Sequence, residues 1–260
     1  MKFRHGIAAA GCVLFGALIV LSAGALLRQN FDRNREGKDL EDLRAKISAG
    51  SSRADPAGGT SAKDRRTPAA VYGALKKQNP DFAAWIRIDG TAVDYPVMQT
   101  PKDPYFYLKH DFRKRYSLYG VPFLDASCDL SSAGGNWIVY GHNMKDGSMF
   151  STLLQYRDPS YLKNHPAVRF DTLKEFGVYR IAAVLKTSAV PGSPDFFPIS
   201  SYAAWKDAGA FRDFQSRREK LDLYKTGGDI RREDRLLMLS TCEDSGNDGR
   251  LVLIAVKKTA

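Results

Sequence analysis

The sequence predicts a mainly β protein, a barrel or sandwich carrying helical insertions. Three observations predict it. Short apolar runs rich in β-branched and aromatic residues recur between clusters of Gly, Pro, Asn and Asp, as strands do. Helical spacing of apolar residues is confined to a few stretches. Strand and helix signals do not alternate, which argues against a doubly wound parallel sheet.

Size and charge set the frame. The 260 residues allow one good-sized domain plus appendages. The formal net charge is +10. Basic residues are scattered among acidic ones, which argues against nucleic acid as a partner. Such a surface suits anionic lipid or an anionic wall polymer. The three cysteines are Cys12, Cys128 and Cys242. They form no CxxC or Cys/His cluster of zinc spacing, so neither a structural metal nor a cofactor is expected.

Residues 1–6 form a short basic tip with Lys2 and Arg4. Residues 7–27 (IAAAGCVLFGALIVLSAGALL) carry no charge. At ~1.5 Å per residue this helix just spans a hydrocarbon core of ~30 Å. It is longer than a signal-peptide core of ~7–15 residues, so an uncleaved transmembrane signal anchor is expected. Basic residues flank both ends, and the charge rule alone leaves the orientation open. Residues 28–67 read as a stalk and linker. Leu40, Leu43 and Ile47 give residues 36–48 a narrow helical stripe. The stretch SAGSSRADPAGGTSAKDRRT that follows has almost no apolar residue to bury.

The expected folded domain runs over residues 68–260. Pro68 opens a helix that ends near Asn79-Pro80. Residues 85–88 alternate as a strand stopped by Asp89-Gly90. Residues 92–98 form a second strand, and Pro96 marks it as an edge. The aromatic cluster Tyr105-Phe106-Tyr107-Leu108 is expected to pack in the core. Residues 120–124 and 136–142 are further strands, the latter ending in Gly141-His142. A short helix follows over 149–156. A hairpin pairs 167–173 with 178–190 around Lys174-Glu175-Phe176-Gly177. The loop 191–200 is broken by prolines and carries Phe196-Phe197. A helix over 202–220 puts Trp205, Ala208, Phe211 and Phe214 on one side. Last comes the strand pair 235–258, joined by a turn-rich loop over 243–249.

That final pair holds the chemistry. It sets Cys242 near the end of one strand and Arg250 at the start of the next. A thiolate is the attacking species, and a free thiol is mostly protonated at neutral pH. A neighbouring imidazole or guanidinium favours the thiolate. Attack on a carbonyl leaves an oxyanion that needs fixed donors, which arginine supplies. Of the four histidines, His5 precedes the apolar segment, and His110 and His165 sit in polar stretches. His142 alone ends an apolar strand, where it suits proton transfer to and from an amine.

Several segments together resemble class B sortases, cell-wall transpeptidases of Gram-positive bacteria. They are Asn79-Pro80-Asp81-Phe82 with Trp85-Ile86 and Gly90-Thr91, then Asp94 to Gln99, then Phe123-Leu124-Asp125. NWIVYGHNMKDGSMF (residues 136–150) is similar to the family's histidine segment. Leu239 to Asp244 is similar to its cysteine segment, with Arg250 where the family's arginine follows.

The resemblance implies a closed eight-stranded barrel with N-terminal helices and a helix in the long loop before the cysteine strand. It implies His142, Cys242 and Arg250 as the catalytic trio. Cys242 would attack the Thr carbonyl of a C-terminal sorting signal, and a cell-wall peptide amine would resolve the thioacyl enzyme. The resemblance points to Thr187, Phe196, Phe197, Ser240, Thr241 and Glu243 as the substrate groove, with Asp244 as an orienting acid. It implies a cytoplasmic N-terminus, a membrane partner for the anchor and a catalytic domain outside the cell. A cysteine hydrolase of this fold and a non-catalytic surface binding protein remain as alternatives.

Overall fold

The structure, a computed structural model, describes residues 22–24, 30–48, 67–132, 134–225, 229–244 and 247–257. The expected tip lies outside the described residues, as does most of the expected anchor and of the linker beyond residue 48. Among the described residues no helix is long and apolar enough to cross a membrane. The chain divides into two compact units, Met1–Lys46 and Ile47–Ala260.

Residues 30–48 form a helix, α1. It starts ahead of the Leu40, Leu43, Ile47 stripe. The Asp32–Arg35 and Asp42–Lys46 ion pairs, at 3.0 and 2.6 Å, join residues three and four apart. Such pairs support a helix with no apolar period to reveal it.

The second unit begins with α2 (Pro68–Gln78). Thr67 caps it by accepting from the Ala70 N–H, and Pro68 occupies the first turn. Val71, Tyr72 and Leu75 are its buried face. The Tyr72 hydroxyl donates to Asp171 at 2.8 Å, fastening the helix to the barrel.

Eight strands follow: β1 (Phe82–Arg87), β2 (Asp94–Met98), β3 (Phe123–Leu124), β4 (Trp137–Tyr140), β5 (Ala167–Thr172), β6 (Val178–Ser188), β7 (Leu236–Asp244) and β8 (Asn247–Lys257). They close into a barrel in the order β1-β2-β3-β4-β7-β8-β6-β5, with β5 returning to β1. β2–β3 and β4–β7 are parallel pairs, and the others are antiparallel. Trp137, Phe170 and Tyr179 pack together in the core.

Several elements depart from the sequence expectation. β1 does not alternate: Phe82 to Ile86 are all buried, because α2 packs over the strand. β2 is no edge, since a closed barrel has none. Its Pro96 pairs with Trp85, and β2 meets β3 only at Met98–Phe123. The missing N–H therefore interrupts no long ladder. β3 is two residues long, not five. Of the aromatic cluster, Tyr107 is fully buried but Tyr105 is exposed. The 202–220 helix splits into a 3₁₀ turn (Ile199–Tyr202) and a helix over Ala208–Leu221. A further helix, α3 (Pro159–Asn164), was not legible, because it buries no residue and so shows no apolar period. The Ala208–Leu221 helix is therefore α4. Between β7 and β8 the ladder runs to Asp244–Asn247, so the expected seven-residue loop is mostly strand.

Candidate active site

Register brings the chemistry together. Cys242 on β7 pairs with Arg250 on β8, and Arg250 pairs on its other side with Thr187 on β6. Directly opposed residues share a face of the sheet, so the three side chains form one row across three strands. On the parallel pair β4–β7, Tyr140 is opposite Ser240. Two residues further along these strands come His142 and Cys242. The Gly141 N–H donates to the Ser240 carbonyl at 3.1 Å and carries the pairing one step past β4.

Gly141 has a steric reason to be glycine. A Cβ there would lie 2.6 Å from the Phe150 ring. The Phe150 N–H in turn donates to the His142 carbonyl at 2.8 Å. The His142 side chain is also held, with Nε2 2.8 Å from the Leu108 carbonyl oxygen. A carbonyl only accepts, so Nε2 carries the proton and donates it. Nδ1 is then the nitrogen that exchanges protons with a reacting group.

A groove of about 620 Å³ opens here. His142, Cys242 and Arg250 all line it, together with Ser240, Thr241, Thr187, Phe196 and Phe197. Cys242 is half-buried with a free thiol. The Arg250 Nη1 donates to the Gly249 carbonyl at 3.0 Å. The Thr187 hydroxyl donates to the Asp195 carbonyl at 2.7 Å and so anchors the loop that carries the two phenylalanines. Phe196 is half-buried, whereas Phe197 is buried against Tyr202 and Phe214.

Glu243 is placed differently from the expectation, for it is not among the groove-lining residues. Its buried carboxylate pairs with Arg157 at 2.9 Å and Lys186 at 3.3 Å. The Asn143 side-chain amide donates to its carbonyl at 3.4 Å. Glu243 therefore ties the peptide beyond the nucleophile to the histidine segment. The Asp244 side chain lies outside the description.

Cys128 is a second free thiol, buried, with its sulfur accepting from the Ile138 N–H at 3.3 Å. Burial pushes this thiol up to about 12, so it stays protonated and unreactive. His110 stacks on Phe106, and His165 is bonded to the Asp89 carbonyl, both away from the groove. Among the described residues no group of three or more His, Cys, Asp or Glu could hold a metal ion.

The groove also uses residues that sequence reasoning passed over, among them Tyr105, Leu108, Phe123, Tyr140 and Ser200. Tyr140 was within reach, because strand alternation puts it on the same face as His142 two positions on. Ser200 gave no signal.

The Sortase domain family model matches residues 86–258. The chain is 33% identical to sortase B of Listeria monocytogenes over 182 residues, 69% of this chain and 70% of that one. It is 29% identical to sortase B of Staphylococcus aureus over 189 residues, 72% of this chain and 73% of that one. A solved S. aureus sortase B–substrate complex superposes with a TM-score of 0.75 at 24% identity, covering 88% of this chain and 99% of that chain. The L. monocytogenes sortase B structure gives 0.61 at 31% identity, covering 70% of this chain and 97% of the other. With its barrel, its groove and these relatives, the chain belongs to the sortase family of cysteine transpeptidases, in its class B.

Proposed function

We propose that Cys242, His142 and Arg250 catalyse cleavage of a C-terminal sorting signal after a threonine and transfer of the acyl group to a cell-wall peptide amine. The observation that carries this is the register: Cys242 directly opposite Arg250, with His142 two residues past Tyr140, the end of the parallel neighbour β4, as Cys242 is two residues past Ser240 on β7.

The Cys242 thiol proton passes to His142 Nδ1, and the resulting thiolate attacks the threonine carbonyl carbon as the C=O electron pair moves to oxygen. The Arg250 guanidinium donates hydrogen bonds to that oxyanion. As the C–N bond breaks, His142 delivers the Nδ1 proton to the departing amine. A thioester to Cys242 remains. An incoming amine attacks it, His142 takes the amine proton, and the thiolate leaves with an amide formed. Thr187, Ser240, Thr241, Phe196 and Phe197 seat the donor peptide. One solved sortase B is complexed with triglycine, which supports a short peptide amine as acceptor.

Residues 7–27 anchor the chain in the cell membrane with residues 1–6 on the cytoplasmic side. Residues 28–67 hold the catalytic domain, residues 68–260, off the outer surface.

Product analysis tests the reading. The full-length protein is incubated with a library of sorting-signal peptides, with and without a short peptide amine. The expected result is cleavage after threonine and, with the amine present, a new amide product. Cys242→Ala should lower the rate by at least about a thousandfold. Cleavage that survives in Cys242→Ala would refute it, and hydrolysis with no amide product would identify a hydrolase.

A further inference from the structure

The outer wall of the groove is not part of the barrel. It is the loop between β6 and α4, which contributes Phe196 to Ser201. At its start the loop is held by Thr187, and the Ser188 N–H donates to the Asp195 carbonyl at 2.9 Å. At its end Asn136 holds it, the side-chain amide donating to the Tyr202 carbonyl at 2.8 Å and the backbone N–H to the Ala203 carbonyl at 2.8 Å. Between these ties, a side-chain attachment reaches back to the barrel.

That attachment is a carboxylate shared by two hydroxyls. The Ser200 Oγ, from the loop, donates to Asp125 Oδ2 at 2.8 Å. The Tyr140 hydroxyl, from β4, donates to the same oxygen at 2.8 Å. The two hydroxyl oxygens are 2.9 Å apart. Asp125 Oδ1 accepts from the Ser127 N–H at 2.9 Å and from its hydroxyl at 2.5 Å. The main chain of Asp125 is fixed as well. Its N–H donates to the Ile138 carbonyl at 2.9 Å, and its carbonyl accepts from Gln99 Nε2 at 3.1 Å.

Asp125 is thus rigid with respect to the barrel, and the loop hangs from it through an exposed serine. Burial acts to raise its carboxyl, but the Ser127, Tyr140 and Ser200 donors outweigh burial and hold it below the usual carboxylate value. It is therefore ionised at neutral pH, when its bonds to both hydroxyls are charge-assisted. Tyr140 and Ser200 line the groove, whereas Asp125 does not.

We propose that Asp125 is a positioning residue for the acyl-donor groove: it latches the 3₁₀ turn Ile199–Tyr202 to β4, two residues before His142, and so sets the width of the groove. It acts on substrate through Tyr140 and Ser200. The inference rests on the reading of this groove as the sorting-peptide site.

The test pairs a structural readout with a kinetic one, using the full-length protein and its Asp125→Ala, Ser200→Ala and Ser200→Thr variants. Amide hydrogen exchange is followed over residues 196–202 without substrate. Loss of a charge-assisted bond should speed exchange there about tenfold in Asp125→Ala and Ser200→Ala and leave the barrel strands unchanged. Sorting-peptide KM should rise about three- to tenfold while kcat changes less than about twofold, the signature of lost binding geometry. Ser200→Thr, which keeps the hydroxyl, should restore both. Unchanged exchange over 196–202 would overturn the latch, as would faster exchange throughout the barrel, or a fall in kcat at constant KM. If the unaltered protein cleaves no sorting peptide, the reading of the groove fails, and the exchange data still decide whether Asp125 latches the loop.

Discussion

Arg250 has one neighbour on each flanking strand, Cys242 and Thr187, and that placement limits what it can do. A guanidinium stays protonated, so it serves as a hydrogen-bond donor and a fixed charge, never as a base. Its planar fork matters as well as its charge. Arg250→Ala should lower kcat by about a hundred- to a thousandfold, as removal of an oxyanion donor does. Arg250→Lys keeps the charge without the fork and should recover only part of that loss. Steady-state kinetics on a sorting peptide checks both: equally slow variants would mean that charge without the fork contributes nothing, and an Arg250→Ala variant as fast as the unaltered protein would mean that neither is used. The sequence proposes Cys242, His142 and Arg250, because each ends or opens an apolar run, and all three line the groove. It misplaced Glu243: the groove was expected to continue past the nucleophile, but the carboxylate turns to Arg157 and Lys186. No local pattern announces an ion pair between residues so distant in the chain.

The β4 strand and the segment after it hold the histidine as a unit. Gly141 lies against Phe150, His142 bonds to Leu108, and Asn143 reaches the Glu243 carbonyl. Gly141→Ala forces a methyl group against the Phe150 ring. Overpacking of that kind should cost about 1–3 kcal/mol. A thermal melt should show a midpoint lower by several degrees, with a loss of activity as His142 is displaced. A stable and fully active variant would show that this contact does not position the histidine. Elements were legible in proportion to their apolar period. The long strand β6 and the helix α2 were read close to their bounds, whereas β7 and β8 run on into the expected 243–249 loop. β3 and α3 were not, since two residues and a helix with no buried face carry no period. Pro96 was misread because the missing N–H needs only a gap in the ladder, which an edge supplies but a sparsely paired strand inside a closed barrel supplies as well. β2 touches β3 at a single position.

Barrel closure is a property of the whole unit. The order β4-β7-β8-β6-β5 joins strands far apart in sequence, and β5 returns to β1. Local patterns favoured a barrel or a sandwich equally; the eight-stranded closed form was an expectation from family resemblance, and the structure has it. Closure sets the parallel neighbours β4 and β7 side by side, and with them His142 and Cys242. It also leaves the second thiol buried at Cys128, outside the groove. The central claim is that Cys242 carries the acyl group. The most direct measurement is mass spectrometry of the full-length protein, intact and after digestion, trapped with a sorting peptide in the absence of an amine. The account predicts one added acyl group, located on the peptide that contains Cys242 and removed by adding a peptide amine. An acyl group on Cys128, or peptide cleavage with no acylated protein at any time, would contradict it.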